Sequence, residues 1–198
     1  KSTEEIEEVT LKEDNTCTAR LKSFINVEDR VKVSRLHARV IPSACGGGSP
    51  YQYSGKIPRV ESILKVEASV VFECVNQLNF KAEGFRKTGG LHVAAICNHD
   101  GSIVALAEDV GRHNAVDKVI GMGALKGIDF GKHFVALSGR MSGDVVFKAA
   151  NIGLPIVASL AAALSSGIDM AEKANVTLAG FVRGKRMNIY TVPERIEF

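Results

Sequence analysis

The chain has 198 residues, 45% hydrophobic and 24% charged, with no Trp and a formal net charge of +3. That composition supplies a packed core and excludes collagen-like, mucin-like and wholly disordered classes. The weak charge disfavours a nucleic-acid binder working through a broad basic surface, so the expected partner is a small molecule.

Residues 1–14 carry six acids against two lysines, an opening unlike a secretory or transit peptide, while residues 20–39 carry six Arg or Lys against two acids. Apolar and polar residues alternate over 16–21 and 30–36, which predicts two half-buried strands. The run Pro42-Ser43-Ala44-Cys45-Gly46-Gly47-Gly48-Ser49-Pro50 follows. Three glycines between prolines deny it regular structure, so Cys45 is expected on a mobile loop. After Pro58, the residues Val60, Ile63, Leu64, Val70, Val71, Cys74 and Leu78 recur at helical spacing and predict a helix with one apolar face. Residues 91–97 and 103–107 read as strands joined by Asn98-His99-Asp100-Gly101, a hairpin signal. Residues 112–125 return to helical spacing, and Gly121 to Gly127 fail the dinucleotide fingerprint and read as a C-cap and turn. A strand at 133–137, a helix at 143–151, a strand at 154–160 and a helix at 163–175 come next. Two strands, 176–182 and 186–191, close the chain around Arg183-Gly184-Lys185. No apolar run reaches the roughly 18 to 20 residues of a membrane span.

Strands alternating with helices predict a mixed, largely parallel α/β sheet covered on both faces, with ligands outside the carboxyl ends of its strands. Three loops should meet there: Glu108 to Asn114, Ser138 to Asp144, and Ser165 to Asp169. The first crowds Asp109, Arg112, His113 and Asn114, which suits a polar ligand; the alternative is a helix start capped by Asp109. The second offers Ser138, Arg140 and Met141 at a strand-to-helix junction suited to a phosphate. Phe181, Val182, Arg183, Gly184, Lys185 and Arg186 combine an aromatic ring with three cations, as an anionic ring-bearing ligand such as a guanine nucleotide requires; the alternative is a solvated hairpin tip. His92 reads equally as a ligand-binding group or a satisfied core histidine.

Cys17, Cys45, Cys74 and Cys97 lie far apart without zinc-ligand spacing, which speaks for a reducing cytoplasm rather than a disulfide scaffold. Cys74 and Cys97 fall on apolar faces and read as core, while Cys17 in its strand stays undecided. Cys45 is the candidate nucleophile, because His37, Arg39, Lys56 and Arg59 flank its loop and positive charge favours thiolate; an incidental exposed cysteine is the alternative.

Thr88-Gly89-Gly90-Leu91-His92, the twelve-residue run Glu108-Asp109-Val110-Gly111-Arg112-His113-Asn114-Ala115-Val116-Asp117-Lys118-Val119, Ser138-Gly139-Arg140-Met141-Ser142, and Phe181 to Arg186 together resemble the FdhD family, the formate dehydrogenase accessory proteins. The resemblance runs from about Arg39 to the C-terminus. It implies a cytidine-deaminase-like three-layer α/β/α sandwich over residues 39–198, with residues 1–38 a short N-terminal β segment. It further implies a cytoplasmic sulfurtransferase. Such a protein takes sulfur from a cysteine desulfurase as a persulfide on Cys45 and passes it to the molybdenum or tungsten bis(guanine dinucleotide) cofactor of formate dehydrogenase. GDP is then a surrogate ligand, Phe181 to Arg186 the nucleotide-holding segment, no metal is held by the protein itself, and a homodimer is expected. No nucleic acid or membrane partner is implied. Two departures stand out. Gly48 replaces the second cysteine of a frequent Cys-x-x-Cys, so the chemistry rests on one sulfur, and an additional N-terminal region of the family is missing. A cofactor chaperone that moves no sulfur is the alternative. A zinc deaminase is a poor third: Ala94 stands two residues after His92 where a deaminase has its Glu, and no PCxxC is present.

Overall fold

Along the strand His92–Asn98, Ala94 and Ile96 face one way and Val93, Ala95 and Cys97 the other, and all five are buried. A strand covered on both faces needs a layer on each side, and this requirement sets the architecture. The structure is a computed structural model, and it describes residues 3–13, 16–22, 24 and 57–198. The chain divides into two compact units, residues 1–42 and 43–198.

In the first unit, β1 (Ile6–Leu11) pairs antiparallel with β2 (Cys17–Leu21). Opposite charges meet across the pair, where the Arg20 guanidinium bonds to Glu8 and lies 3.6 Å from Glu7. The acidic opening is therefore a strand that its charge pattern did not announce. β2 is not half-buried as expected: only Leu21 is partly covered and Cys17 is exposed. Alternation reports a burial face only where a second layer exists to cover it. The strand expected at 30–36 and the Cys45 loop lie outside the described residues.

The second unit carries β3 (Val66–Glu67), α1 (Ala68–Lys81), α2 (Glu83–Thr88), β4 (His92–Asn98), β5 (Ile103–Asp109) and α3 (Arg112–Leu125). It continues through β6 (His133–Leu137), α4 (Gly143–Asn151), β7 (Ile156–Ser159), α5 (Ser165–Ala174), β8 (Thr177–Arg183), β9 (Arg186–Thr191) and β10 (Ile196–Glu197). Six strands form one sheet in the order β5-β4-β6-β7-β8-β9. Packed on one face are Val116 and Val119 of α3, Val145 of α4 and Met170 of α5; on the other are Val71, Cys74, Val75 and Leu78 of α1. The result is a three-layer α/β/α sandwich. Burying each such side chain contributes roughly 1.5 to 3 kcal/mol, enough to outweigh the β-branched residues' mild resistance to helix in Val70-Val71 and Val145-Val146.

Three expectations change. The sheet is mixed but not largely parallel, since only β6–β7 and β7–β8 run parallel among its five pairings. The helix after Pro58 begins at Ala68, and Ile63 is 99% exposed. Upstream, the Ser62 hydroxyl donates to the Gly131 carbonyl and accepts from the Leu64 N–H, and Val66–Glu67 pairs in parallel with Ile196–Glu197. These bonds hold the backbone extended against the helical periodicity. Gly121 and Gly123 lie inside α3, and the turn is left to Gly127 at φ +66°. No helix among the described residues is long and apolar enough to cross a membrane.

Candidate functional site

Strand direction assembles the site. β5, β6, β7 and β8 all end at the edge where the antiparallel β4 and β9 begin. His92, Asp109, Ser138, Arg183 and Arg186 therefore share one rim. The helices α3, α4 and α5 start from the same rim, and their N-caps, Gly111, Ser142 and Leu164, make no side-chain capping bond. The expected loops do meet. His113 Nε2 lies 3.4 Å from Ser142 Oγ and 3.9 Å from Asp144, and the Gly143 N–H donates to Ser166 Oγ at 3.3 Å. A Cβ on Gly139 would sit 2.9 Å from Arg112 Cβ and 3.3 Å from His92 Nδ1, so glycine is what lets these three residues close up.

The acids of the first loop are spent on structure. Glu108 accepts from the Gly84 and Phe85 N–H groups at 2.9 and 2.5 Å and so caps α2. Asp109 accepts from the Gly111 N–H at 2.8 Å and the Asn114 amide at 3.1 Å, and pairs with Lys118 at 2.6 Å. Burial pushes its carboxyl pKa up, but Lys118 and the two hydrogen bonds prevail and hold it below the ordinary value. Asp109 and Asn114 are thus loop braces, and the N-cap of α3 is Gly111 rather than Asp109. His113, half-buried, has its pKa lowered by burial and then by Arg112.

The cations present the opposite picture. Among the described residues, Arg112, Arg140, Arg183, Lys185 and Arg186 have no carboxylate partner, and Arg112 Nε is buried without any hydrogen bond. His92 stands between Arg112 and Arg140; burial and then these guanidiniums lower its pKa, so the imidazole is neutral at pH 7. Arg59 is paired with Glu61 at 3.2 Å, while His37, Arg39, Lys56 and Cys45 lie outside the described residues.

At the last turn Gly184 takes φ +57°, and Asn76 of α1 clasps it through both its donor and its acceptor at 2.9 and 3.2 Å. The tip is anchored rather than free. Phe181, 44% exposed, is held at φ +52° in a bulge of β8, a strained conformation for a bulky residue. Val182 and Met141 are fully buried and serve packing, and the Met141 N–H donates to the Ala162 carbonyl while its own carbonyl accepts from the Leu164 N–H, so neither residue is open to a ligand.

Beside this turn lies a groove of about 540 Å³ whose wall includes His92, Ser138 and Arg183. Ser138 Oγ accepts from the Val93 N–H at 2.8 Å and is fixed there. Phe85 and Asn79 also line the groove, with Leu91 and Leu160. Phe181 does not, so Phe85 is the aromatic wall that sequence reasoning missed. Its signal was faint, because α2 spans six residues and its start is capped by an acid 23 residues further on.

A family model described as the FdhD/NarQ family matches residues 1–197. A sulfur carrier protein FdhD from Methanothermobacter thermautotrophicus is 46% identical over 157 residues, covering 79% of this chain. The chain spans only 62% of that relative's length. A protein of the same name from Saccharolobus solfataricus is 36% identical over 197 residues, 98% of this chain and 73% of its own. The crystal structure of a proposed formate dehydrogenase accessory protein from Desulfotalea psychrophila matches with a TM-score of 0.74 at 24% identity, over 99% of this chain and 72% of that one, which shows a common fold.

Proposed function

The chain belongs to the FdhD/NarQ family, and from this we propose that it is a sulfur carrier serving formate dehydrogenase, with Cys45 as the carrying thiol and a guanine-dinucleotide cofactor as the recipient. The observation that carries the recipient side is the rim itself: among the described residues it bears five cations without carboxylate partners, and one of them, Arg183, lines a groove that has Phe85 as its aromatic wall. Unpaired guanidiniums suit phosphates, which they bind through two oxygens at once, and an apolar groove suits a flat base. Phe181, exposed on the rim, offers a second ring.

The donor side rests on chemistry and on the relatives' names. Cys45 thiolate attacks the outer sulfur of a desulfurase persulfide; a new S–S bond forms, the old one breaks, and the desulfurase cysteine leaves as thiolate. The exchange neither oxidises nor reduces the pair. In the second transfer the S–S bond of the Cys45 persulfide breaks, Cys45 leaves as thiolate, and the outer sulfur passes to the molybdenum or tungsten cofactor, the substrate, whose metal in its reduced state would supply the two electrons that bring that sulfur to the sulfide level. Four cysteines spread along the sequence without paired or metal-ligand spacing favour a reducing compartment such as the cytoplasm. A homodimer is the expected assembly.

Gly48, in place of a second loop thiol, favours one rival: a chaperone that holds the cofactor without moving sulfur. A Cys45→Ser chain separates the two. The carrier reading expects formate dehydrogenase produced with it to be inactive, and full activity would establish the chaperone. Arg183→Ala and Arg186→Ala are each expected to weaken GDP binding about tenfold, the size of one charged hydrogen bond; unchanged binding by calorimetry would reject the rim as the nucleotide site.

A further inference from the structure

Along the groove, one polar group is left unserved by the fold. Asn79 of α1 lines it, and Asn79 Oδ1 is buried with no hydrogen-bond partner among the described residues. Buried amide oxygens are nearly always satisfied, so a bare one calls for a donor that arrives from elsewhere. The contrast lies one turn away on the same helix, where Asn76 commits both amide atoms to Gly184. A second observation concerns Gly90, also on the groove wall. Its φ is not left-handed, and a Cβ there would meet nothing nearer than Thr88 at 3.9 Å. The chain's own packing therefore does not require glycine at this position, whereas close approach of a ligand to the backbone does.

Resting on the guanine-nucleotide reading above, we propose that Asn79 is the specificity-determining residue of the groove: its amide oxygen accepts hydrogen bonds from the N–H edge of a flat heterocycle seated against Phe85. Guanine presents a ring N–H and an adjacent amino group on that edge. Adenine presents a bare ring nitrogen, whose lone pair would oppose that of Oδ1. Oδ1 itself is buried, so seating the base requires the terminal torsion of Asn79, which is broad and two-fold, to turn the oxygen toward the groove and the amide nitrogen to the position it leaves. Sites built around such a bond reject analogues that lack the donor, because the protein group is then left bare again.

The test is calorimetric binding of GDP, IDP and ADP to the full chain and to Asn79→Leu and Asn79→Asp, with thermal melts to confirm folding. Wild type should bind GDP more tightly than IDP, which lacks the amino group, and ADP most weakly. Asn79→Leu should lose about tenfold in GDP affinity and its preference for GDP over ADP, while Asn79→Asp, which keeps acceptor oxygens, should hold GDP at least as well as wild type. A folded Asn79→Leu chain with wild-type affinity and preference overturns the assignment of Asn79 and leaves the nucleotide reading standing. A wild-type chain that binds none of the three removes that reading and this inference together. If Asn79→Leu does not fold, Asn79→Asp decides alone: retained GDP binding with ADP still disfavoured supports the assignment, and weakened GDP binding overturns it.

Discussion

Arg195 is 5% exposed and faces backbone carbonyls alone among its hydrogen-bond partners. Its guanidinium donates to Asn175 at 2.7 Å, Ser62 and Pro155 at 3.3 Å and Val60 at 3.5 Å, joining the segment before β3 to the starts of β7 and β8. A buried cation is tolerated only when such dipoles replace its water. Arg195→Met should therefore cost about 3 kcal/mol or more in urea unfolding, since several carbonyls lose a charged donor at once. At the site, the pKa values of His92 and His113 are both lowered, first by burial. The unfolded chain then binds more protons than the folded one below about pH 6.5, and stability falls as pH drops through the folded values. The thermal midpoint should decline on acidification from pH 7.5 to 5, and His92→Gln with His113→Gln should flatten that decline; an unchanged slope would contradict it. At this scale Arg183, Lys185 and Arg186 stand out in the sequence because they share one turn, and of the three Arg183 lines the groove. The sequence hid Asn79 and Phe85, because helices far away in the chain bring them to the groove.

The elements around the site depend on bonds between distant segments. α2 begins at Glu83 with no cap of its own, and the Glu108 carboxylate at the end of β5 supplies one. Glu108→Gln should weaken that cap by about 1 kcal/mol, and faster hydrogen exchange at the Gly84 and Phe85 amides would register it. Because Phe85 walls the groove, GDP affinity should fall with it. At the start of α5 a Cβ on Gly167 would collide with the Met141 carbonyl oxygen, a backbone atom that cannot swing aside. Gly167→Ala is expected to cost about 1 to 3 kcal/mol in denaturant unfolding, and a neutral result would show that the α4 and α5 termini do not need this close approach. Periodicity located α3, β6 and α4 at their observed bounds, since each has a one-sided or continuous apolar pattern and a clear end. It misplaced the start of α1, where Ser62 and the β3–β10 pairing override the same spacing.

For the molecule as a whole, alternating strands and helices were enough to give a layered α/β unit with its loops gathered on one rim. The strand directions were also within reach: the Asp100-Gly101 turn and the Arg183-Gly184-Lys185 turn each make a hairpin, and these place antiparallel strands at both edges of the sheet. Reading the C-terminal alternation as largely parallel gave those two turns too little weight. The rim's charge, in contrast, was not legible from composition, because a net +3 conceals which cations have lost their acids to other work. Asp109, a candidate ligand in the sequence, serves as a brace, as does Glu108 beside it, which leaves Arg112 and Arg140 without carboxylate partners among the described residues.

Sulfur carriage by Cys45 is the claim on which the functional account turns, and the most direct measurement is peptide mass spectrometry of the full chain after incubation with a cysteine desulfurase and cysteine. The account predicts one added sulfur on Cys45, removable by reductant, with Cys17, Cys74 and Cys97 unmodified. Added sulfur on one of those three cysteines instead, or on none of the four, would contradict it.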